Sequence, residues 1–206
     1  MEGKKETYPD VSKEPYPLYA APRPYSFELN EDMIRLLRAE FDPPKVVEKL
    51  VEAIRGKKGK EVEEIGAKVF AEYGRDWMKK VMQLGEEYSD RTYDVLKAAA
   101  DRTGELYFPH VPQRFIEIAY LSTQQSLTLP VVESWRRRLI YRVPNCYTFK
   151  TVKERCGEVV ANLLLCKSAC LAGLETLVQD LNLDVSVGME AETPKNGFCQ
   201  FALRKG

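Results

Sequence analysis

The stretch that most restricts what this chain can become runs from Cys156 to Leu181. It is nearly uncharged, carries Leu163, Leu164, Leu165, Leu171, Leu174, Leu177 and Val178, and sets Ala161, Ser168, Ala169, Ala172 and Gly173 between them. Such a segment offers no polar face to water, so it predicts a buried helix, broken once. Beyond it, Leu183, Val185, Val187 and Met189 alternate with polar or small neighbours, Asn196-Gly197 supplies turn chemistry, and Phe198 to Leu203 resumes an apolar pattern. That order predicts a strand, a turn and a closing strand.

Helices dominate the first half. Asn30 is placed to cap a helix whose opening turn holds Glu31 and Asp32 and whose apolar face is Met33, Ile34, Leu37 and Phe41. Asp42-Pro43 ends it and starts another, with Val46, Val47, Leu50, Val51 and Ile54 at helical spacing up to Gly56. From Glu61 to Glu87, the residues Val62, Ile65, Val69, Tyr73, Trp77, Val81 and Leu84 recur every three or four positions, which predicts a long amphipathic helix of the kind that packs on a sheet. A fourth helix is predicted from Thr92 to Arg102.

The periodicity changes between residues 105 and 150. Phe115, Ile116, Ile118, Tyr120 and Leu121 read equally as helix or strand, and Pro112 as a first helical residue tips the reading to helix. Leu127, Leu129, Val131 and Val132, then Leu139 to Val143, predict strands. Residues 1–28 interleave Pro9, Pro15, Pro17, Pro22 and Pro24 with Tyr8, Tyr16, Tyr19, Tyr25 and Phe27. Prolines at that density forbid a regular helix and predict an extended arm, either a solvated leader or a strap across this domain or a partner subunit. The reading is an α+β protein: an arm over 1–28, then one domain over 29–206 in which N-terminal helices pack on an antiparallel sheet, with a buried C-terminal helix and a closing β-hairpin.

Charge narrows the partners. Lys plus Arg and Asp plus Glu each number 31, so no net field draws nucleic acid or an anionic membrane, and neither is expected as a partner. The charged N-terminus does not resemble a signal peptide, and no apolar run of about 18 residues marks a membrane span, so a cytoplasmic setting is expected. Five cysteines without an export signal suggest thiols or metal ligands rather than a disulfide framework. A phosphate-cradling glycine loop, an H-E-x-x-H helix, a G-x-S-x-G elbow and paired Cys-x2-Cys are all missing, which argues against nucleotide, zinc-protease and serine-hydrolase chemistry.

The cysteines carry the most specific pattern. Cys166 and Cys170 are one helical turn apart, Glu190 ends the outgoing strand, and Cys199 lies in Gly197-Phe-Cys-Gln-Phe201. With Cys170-Leu-Ala-Gly-Leu-Glu175, these features resemble the vinyl-4-reductase-type, hydrocarbon-binding domain over about 60 residues, Cys146 to Leu203. That resemblance implies a small hydrophobic ligand and a structural zinc held by Cys166, Glu190 and Cys199. Thr193 stands where the family has a further cysteine, so Cys170 or Cys146 would complete the set. Read from the residues alone, the same thiols serve equally as small apolar core.

A looser resemblance, to the L-2-amino-thiazoline-4-carboxylate hydrolase family, rests on the order of helices, aromatic-rich middle, tryptophan, cysteine, buried helix and hairpin. It implies ring-opening hydrolysis with Cys146, in Val143-Pro-Asn-Cys-Tyr-Thr148, as nucleophile or ligand. His110 is the single histidine and thus the one imidazole base for such a thiol. His110 and Trp135 are also candidate hydrogen-bond donors in an apolar pocket walled by Tyr120, Tyr141 and Phe149, with Arg136 to Arg138 beside it for an anionic group. The leading expectation is binding or sensing of a small apolar or aromatic molecule in an internal pocket. A cysteine- or metal-assisted hydrolase and a structural homodimer are the alternatives.

Overall fold

Asn30 starts the first helix as its side chain allows. Its Oδ1 accepts the N–H groups of Asp32 at 2.9 Å and Met33 at 3.3 Å, two donors that a helix start leaves bare. From there the computed structural model, which describes residues 29–104, 107–124 and 128–206, runs through α1 (Glu31–Phe41), α2 (Pro43–Ala53), α3 (Lys60–Glu87), α4 (Arg91–Thr103), α5 (His110–Thr123), β1 (Val131–Trp135), β2 (Arg138–Pro144), α6 (Tyr147–Cys156), α7 (Glu158–Asn162), α8 (Lys167–Asp180), β3 (Val185–Ala191), α9 (Thr193–Asn196) and β4 (Phe198–Lys205). The α+β class follows the sequence reading. The arm expected over 1–28 and the strand start expected at Leu127 lie outside the described residues.

The four strands pair antiparallel in the order β1-β2-β4-β3. Register sets Leu139 opposite Leu203, Tyr141 opposite Phe201 and Val143 opposite Cys199, while Val187 and Met189 flank Leu203 and Phe201 from the other side. Strand side chains alternate, so these residues share the face that enters the core, and Arg138, Arg142, Gln200 and Arg204 share the opposite one. The closing hairpin forms, but its connection is not a two-residue Asn-Gly turn. Thr193–Asn196 winds into a single helical turn, and Gly197 closes it at φ 78° with its N–H on the Thr193 carbonyl at 2.9 Å.

The apolar stretch is cut twice rather than once. Cys156 ends α6, Gly157 adopts φ 85°, and after the short α7 the chain passes through Leu164 at φ 52° before α8 begins. Contrary to the sequence expectation, Glu158–Asp180 does have the length and apolarity of a membrane span, with a mean hydropathy of 1.4. Half of it is buried within this fold, and the left-handed turn at Leu164 divides it.

The small residues explain where α8 goes. The amphipathic α3 predicts a sheet partner, yet its main partner is α8, with α1, α2 and α5 around it. A Cβ added to Gly74 would fall 2.0 Å from the Ala169 carbonyl oxygen, and one added to Gly173 would lie 3.1 Å from the Gly74 carbonyl oxygen. Backbone therefore meets backbone at this crossing, which only glycine and alanine permit. α5 fills the space between the helices and the sheet and is buried on every side from Val111 to Thr123. Its fully buried Arg114 donates to the Gly85 carbonyl at 2.6 Å and the Tyr88 carbonyl at 3.3 Å, satisfying the C-terminal end of α3, while its guanidinium lies 4.0 Å from the Tyr93 ring centre.

Gly74→Ala tests the crossing. Intrinsic helix propensity favours alanine by about 1 kcal/mol, whereas the clash with α8 costs roughly 1–3 kcal/mol or more. Urea unfolding is expected to show a net loss of stability, and Lys68→Ala, on the exposed face of the same helix, none. Equal or greater stability of Gly74→Ala would refute the close approach.

Candidate functional site

Two places combine polar chemistry with shape: a group of thiols at one end of β4, and an open cleft at the other.

The thiol group is built by two left-handed turns and the strand that closes the hairpin. Asn145, at φ 51°, turns the chain after β2 and leaves Cys146 as the N-cap of α6. Its sulfur accepts the Phe149 N–H at 3.5 Å, a task that serine, threonine, asparagine or aspartate usually performs. Gln124, just past α5, presents its Oε1 to the Cys146 thiol at 3.6 Å and to the Thr148 N–H at 3.3 Å, while its amide nitrogen donates to the Thr148 hydroxyl at 3.0 Å. The turn through Leu164 then makes Cys166 the N-cap of α8, with Cys170 one turn further on. Cys199 enters from β4 beside Val143 and lies 3.0 Å from the Thr193 hydroxyl.

These sulfurs feel one another but differ in character. The Cys166 thiol, the helix-start N–H groups and the Thr148 hydroxyl together hold Cys146 below the ordinary thiol range, against the opposing effect of burial. Cys166 is pushed the other way, first by its contact with Cys146 and then by burial. Burial raises Cys170, Cys199 and the more peripheral Cys156.

The zinc set implied by resemblance is not assembled. Among the described residues, no three side chains of His, Cys, Asp or Glu stand close enough together to hold a metal ion. Glu190 falls where the register of β3 shifts between Met189 and Ala191, and such a bulge re-aims a side chain. Its carboxylate accepts from Gln200 Nε2 at 2.7 Å and pairs with Arg204, apart from the sulfurs. Thr193 does stand against Cys199, but it offers a hydroxyl where a thiolate is called for.

The remaining candidates scatter. His110 opens the 14-residue α5, and Gln124, which touches Cys146, follows its last residue; at ~1.5 Å per helical residue the two ends lie about 20 Å apart. Cys146 and His110 therefore form no thiol–imidazole pair. Trp135 is 54% exposed, with its Nε1 on Glu133 at 3.3 Å. Tyr120 and Tyr141 pack edge to face with ring centres 5.4 Å apart and hydroxyls 3.2 Å apart, flanked by Trp77 and Phe201. Phe149 packs between the two parts of the core. Tyr120, Tyr141, Trp135 and Phe149 line neither the cleft at the Lys205 end of the sheet nor the shallower one beside Glu31, Ile34, Arg35 and Arg38.

The larger cleft, of about 610 Å³, opens at the far end of the sheet. Tyr107 and Phe108 come to it from the segment before α5, Leu181 and Leu183 from the turn between α8 and β3, Arg136 from the β1–β2 turn, and Lys205 from the end of β4. Of these, sequence reasoning singled out Arg136 alone. The signal for the others was the meeting of a Tyr-Phe-Pro turn with an Asn-Leu-Asp turn, which no local pattern announces.

No protein-family model, curated protein or solved structure matches this chain.

The buried phenols make a pH prediction. Burial, with the neighbouring thiols, holds Tyr120 and Tyr141 neutral far above pH 10, where a solvated phenol ionises, and Tyr73 and Tyr93 are shifted the same way. Above that pH the unfolded chain releases protons that the fold retains. This contribution to stability is complete below about pH 10 and is lost as the pH rises beyond it. Tyrosinate absorbance from these residues is expected to appear together with loss of the far-ultraviolet circular dichroism. Ionisation of all 11 tyrosines in a chain that keeps its dichroism would contradict the burial described.

Proposed function

We propose that the protein binds a small molecule with an apolar or aromatic body and an anionic group, seated in the cleft at the Lys205 end of the sheet. The observation that carries this reading is the cleft's composition. Phe108, Tyr107, Leu181 and Leu183 supply apolar and aromatic surface, and Arg136 and Lys205 bring two cationic side chains to the same opening, beside Asp184. The volume falls within the ~300–1,000 Å³ of small-ligand sites. Apolar walls account for affinity through area removed from water, and fixed cations orient a carboxylate, sulfonate or phosphate. This keeps the ligand class expected from sequence and moves it from an interior pocket, whose aromatic residues pack on one another, to the surface between three turns. The thiol version of the hydrolase alternative gains no support among the described residues, because His110 stands at the opposite end of α5 from Cys146.

Anilinonaphthalene sulfonate, an aromatic body with one anionic group, is a suitable probe. Its fluorescence with the folded full chain is expected to saturate at one site. Arg136→Ala with Lys205→Ala should weaken it about tenfold, equivalent to ~1.4 kcal/mol, and Leu183→Asp should abolish it, with circular dichroism unchanged in both. Binding that does not saturate, or that both variants leave intact, would exclude the cleft as the site.

A further inference from the structure

Lys205 breaks the pattern of its own strand. Along β4 the alternate positions Cys199, Phe201 and Leu203 enter the core, and Lys205 is the next residue on that face, opposite Val185 as Leu203 is opposite Val187. Its neighbour Arg204, on the other face, pairs with Glu190. The aliphatic stem of Lys205 thus follows the apolar side of the sheet and carries its ammonium to the cleft, which it lines together with Asp184. A Cβ added to Gly206 would lie 3.7 Å from the Asp184 Oδ2, and Gly206 is one Cα step, about 3.8 Å, past Lys205. Both charges therefore stand at the same end of β4. Elsewhere on this hairpin opposite charges close on each other, Glu190 with Arg204 and Glu192 with Lys195. Among the described residues, neither the Lys205 ammonium nor the Asp184 carboxylate makes a hydrogen bond or an ion pair. Opposite charges that share an opening without closing on each other leave room for a molecule that carries both signs.

Resting on the reading of this cleft as a ligand site, we infer that its ligand class is an α-amino acid with an apolar or aromatic side chain, bound as the zwitterion. Lys205 takes the carboxylate, Asp184 takes the ammonium, and Tyr107, Leu181 and Leu183 take the side chain. In such a molecule the two ionic groups hang from one carbon and the apolar body projects away from them, which matches two charges at one strand end with an apolar wall to one side. A ligand with the carboxylate alone brings like charge to Asp184 and leaves it unmatched. A ligand with the amine alone does the same to Lys205. Selection therefore comes from the mismatched charge as much as from the matched one. Both side chains are exposed to water, so each match adds only what a solvated ion pair contributes, about fivefold in affinity at most.

The test is titration calorimetry of the folded full chain near neutral pH with L-phenylalanine, with phenylpropionate, which lacks the ammonium, and with phenylethylamine, which lacks the carboxylate. L-Phenylalanine is expected to bind at one site, about fivefold tighter than either truncated ligand. Asp184→Asn should lower it to the level of phenylpropionate without weakening phenylpropionate itself, and Lys205→Gln should lower it to the level of phenylethylamine. Comparing the ligands on the unmodified protein carries the test even if a variant fails to fold. Either truncated ligand binding as tightly as L-phenylalanine, or a preference that Asp184→Asn leaves intact, would overturn the inference; saturable anilinonaphthalene sulfonate fluorescence in the same preparation would then still keep the cleft as a binding site. If neither the fluorophore nor any of these ligands binds, the site and the inference fall together.

Discussion

The fold depends on two helices approaching more closely than side chains allow. At the crossing of α3 and α8, Gly74 lies against the backbone of Ala169, and Gly173 against the Gly74 carbonyl. Dispersion forces reward contact at the closest distance the atoms permit, and a methyl group in the way forfeits much of it. With α8 locked there, the turn before it sets Cys166 at the start of the helix, and the turn after it delivers β3 to the sheet edge. Leu181 and Leu183, which follow α8, reach the cleft from that fixed helix.

Between the two places of interest the interior is solid. Tyr120, Tyr141, Phe201 and Trp77 fill the space with tilted, stacked and edge-to-face contacts, and the one polar pair among them, the two phenol hydroxyls, satisfies itself. Cys199 near the start of β4 and Lys205 at its end are separated by six strand residues, or ~20 Å at about 3.3 Å each. The sulfurs and the cleft are therefore spatially distinct, joined by one strand and a packed aromatic core.

Much of this was legible locally. The Asn30 cap, the Asp42-Pro43 boundary, the long stripe of α3 and the alternation in β3 are signals carried by neighbouring residues, and the structure follows them. α5 was ambiguous for a physical reason: an element buried on all sides has no polar face to reveal its period, so helix and strand look alike. The second cut in the apolar stretch was hidden because Leu164 is not a residue that announces a left-handed turn. At the site, the grouping of Cys146, Cys166, Cys170 and Cys199 near the hairpin was readable as an expectation. The exclusion of Glu190 was not, because a bulge at that position depends on how β3 registers with β4. Gln124 and Thr148 went unnoticed, since their role arises only when the end of α5 meets the start of α6.

The place of β4 in the sheet has a consequence for how the molecule is made. Among the described strands it comes last in sequence, yet it lies inside the sheet, bridging β2 and β3. The β1–β2 pair, complete some sixty residues earlier, keeps an open edge of unpaired N–H and C=O groups until residues 198–205 are available to zip into it. During synthesis a ribosome-bound chain therefore holds a half-built sheet whose vacant edge can accept any passing extended peptide. Closure of this sheet therefore waits on residues 198–205, a long-range pairing made well after β1 and β2 have emerged.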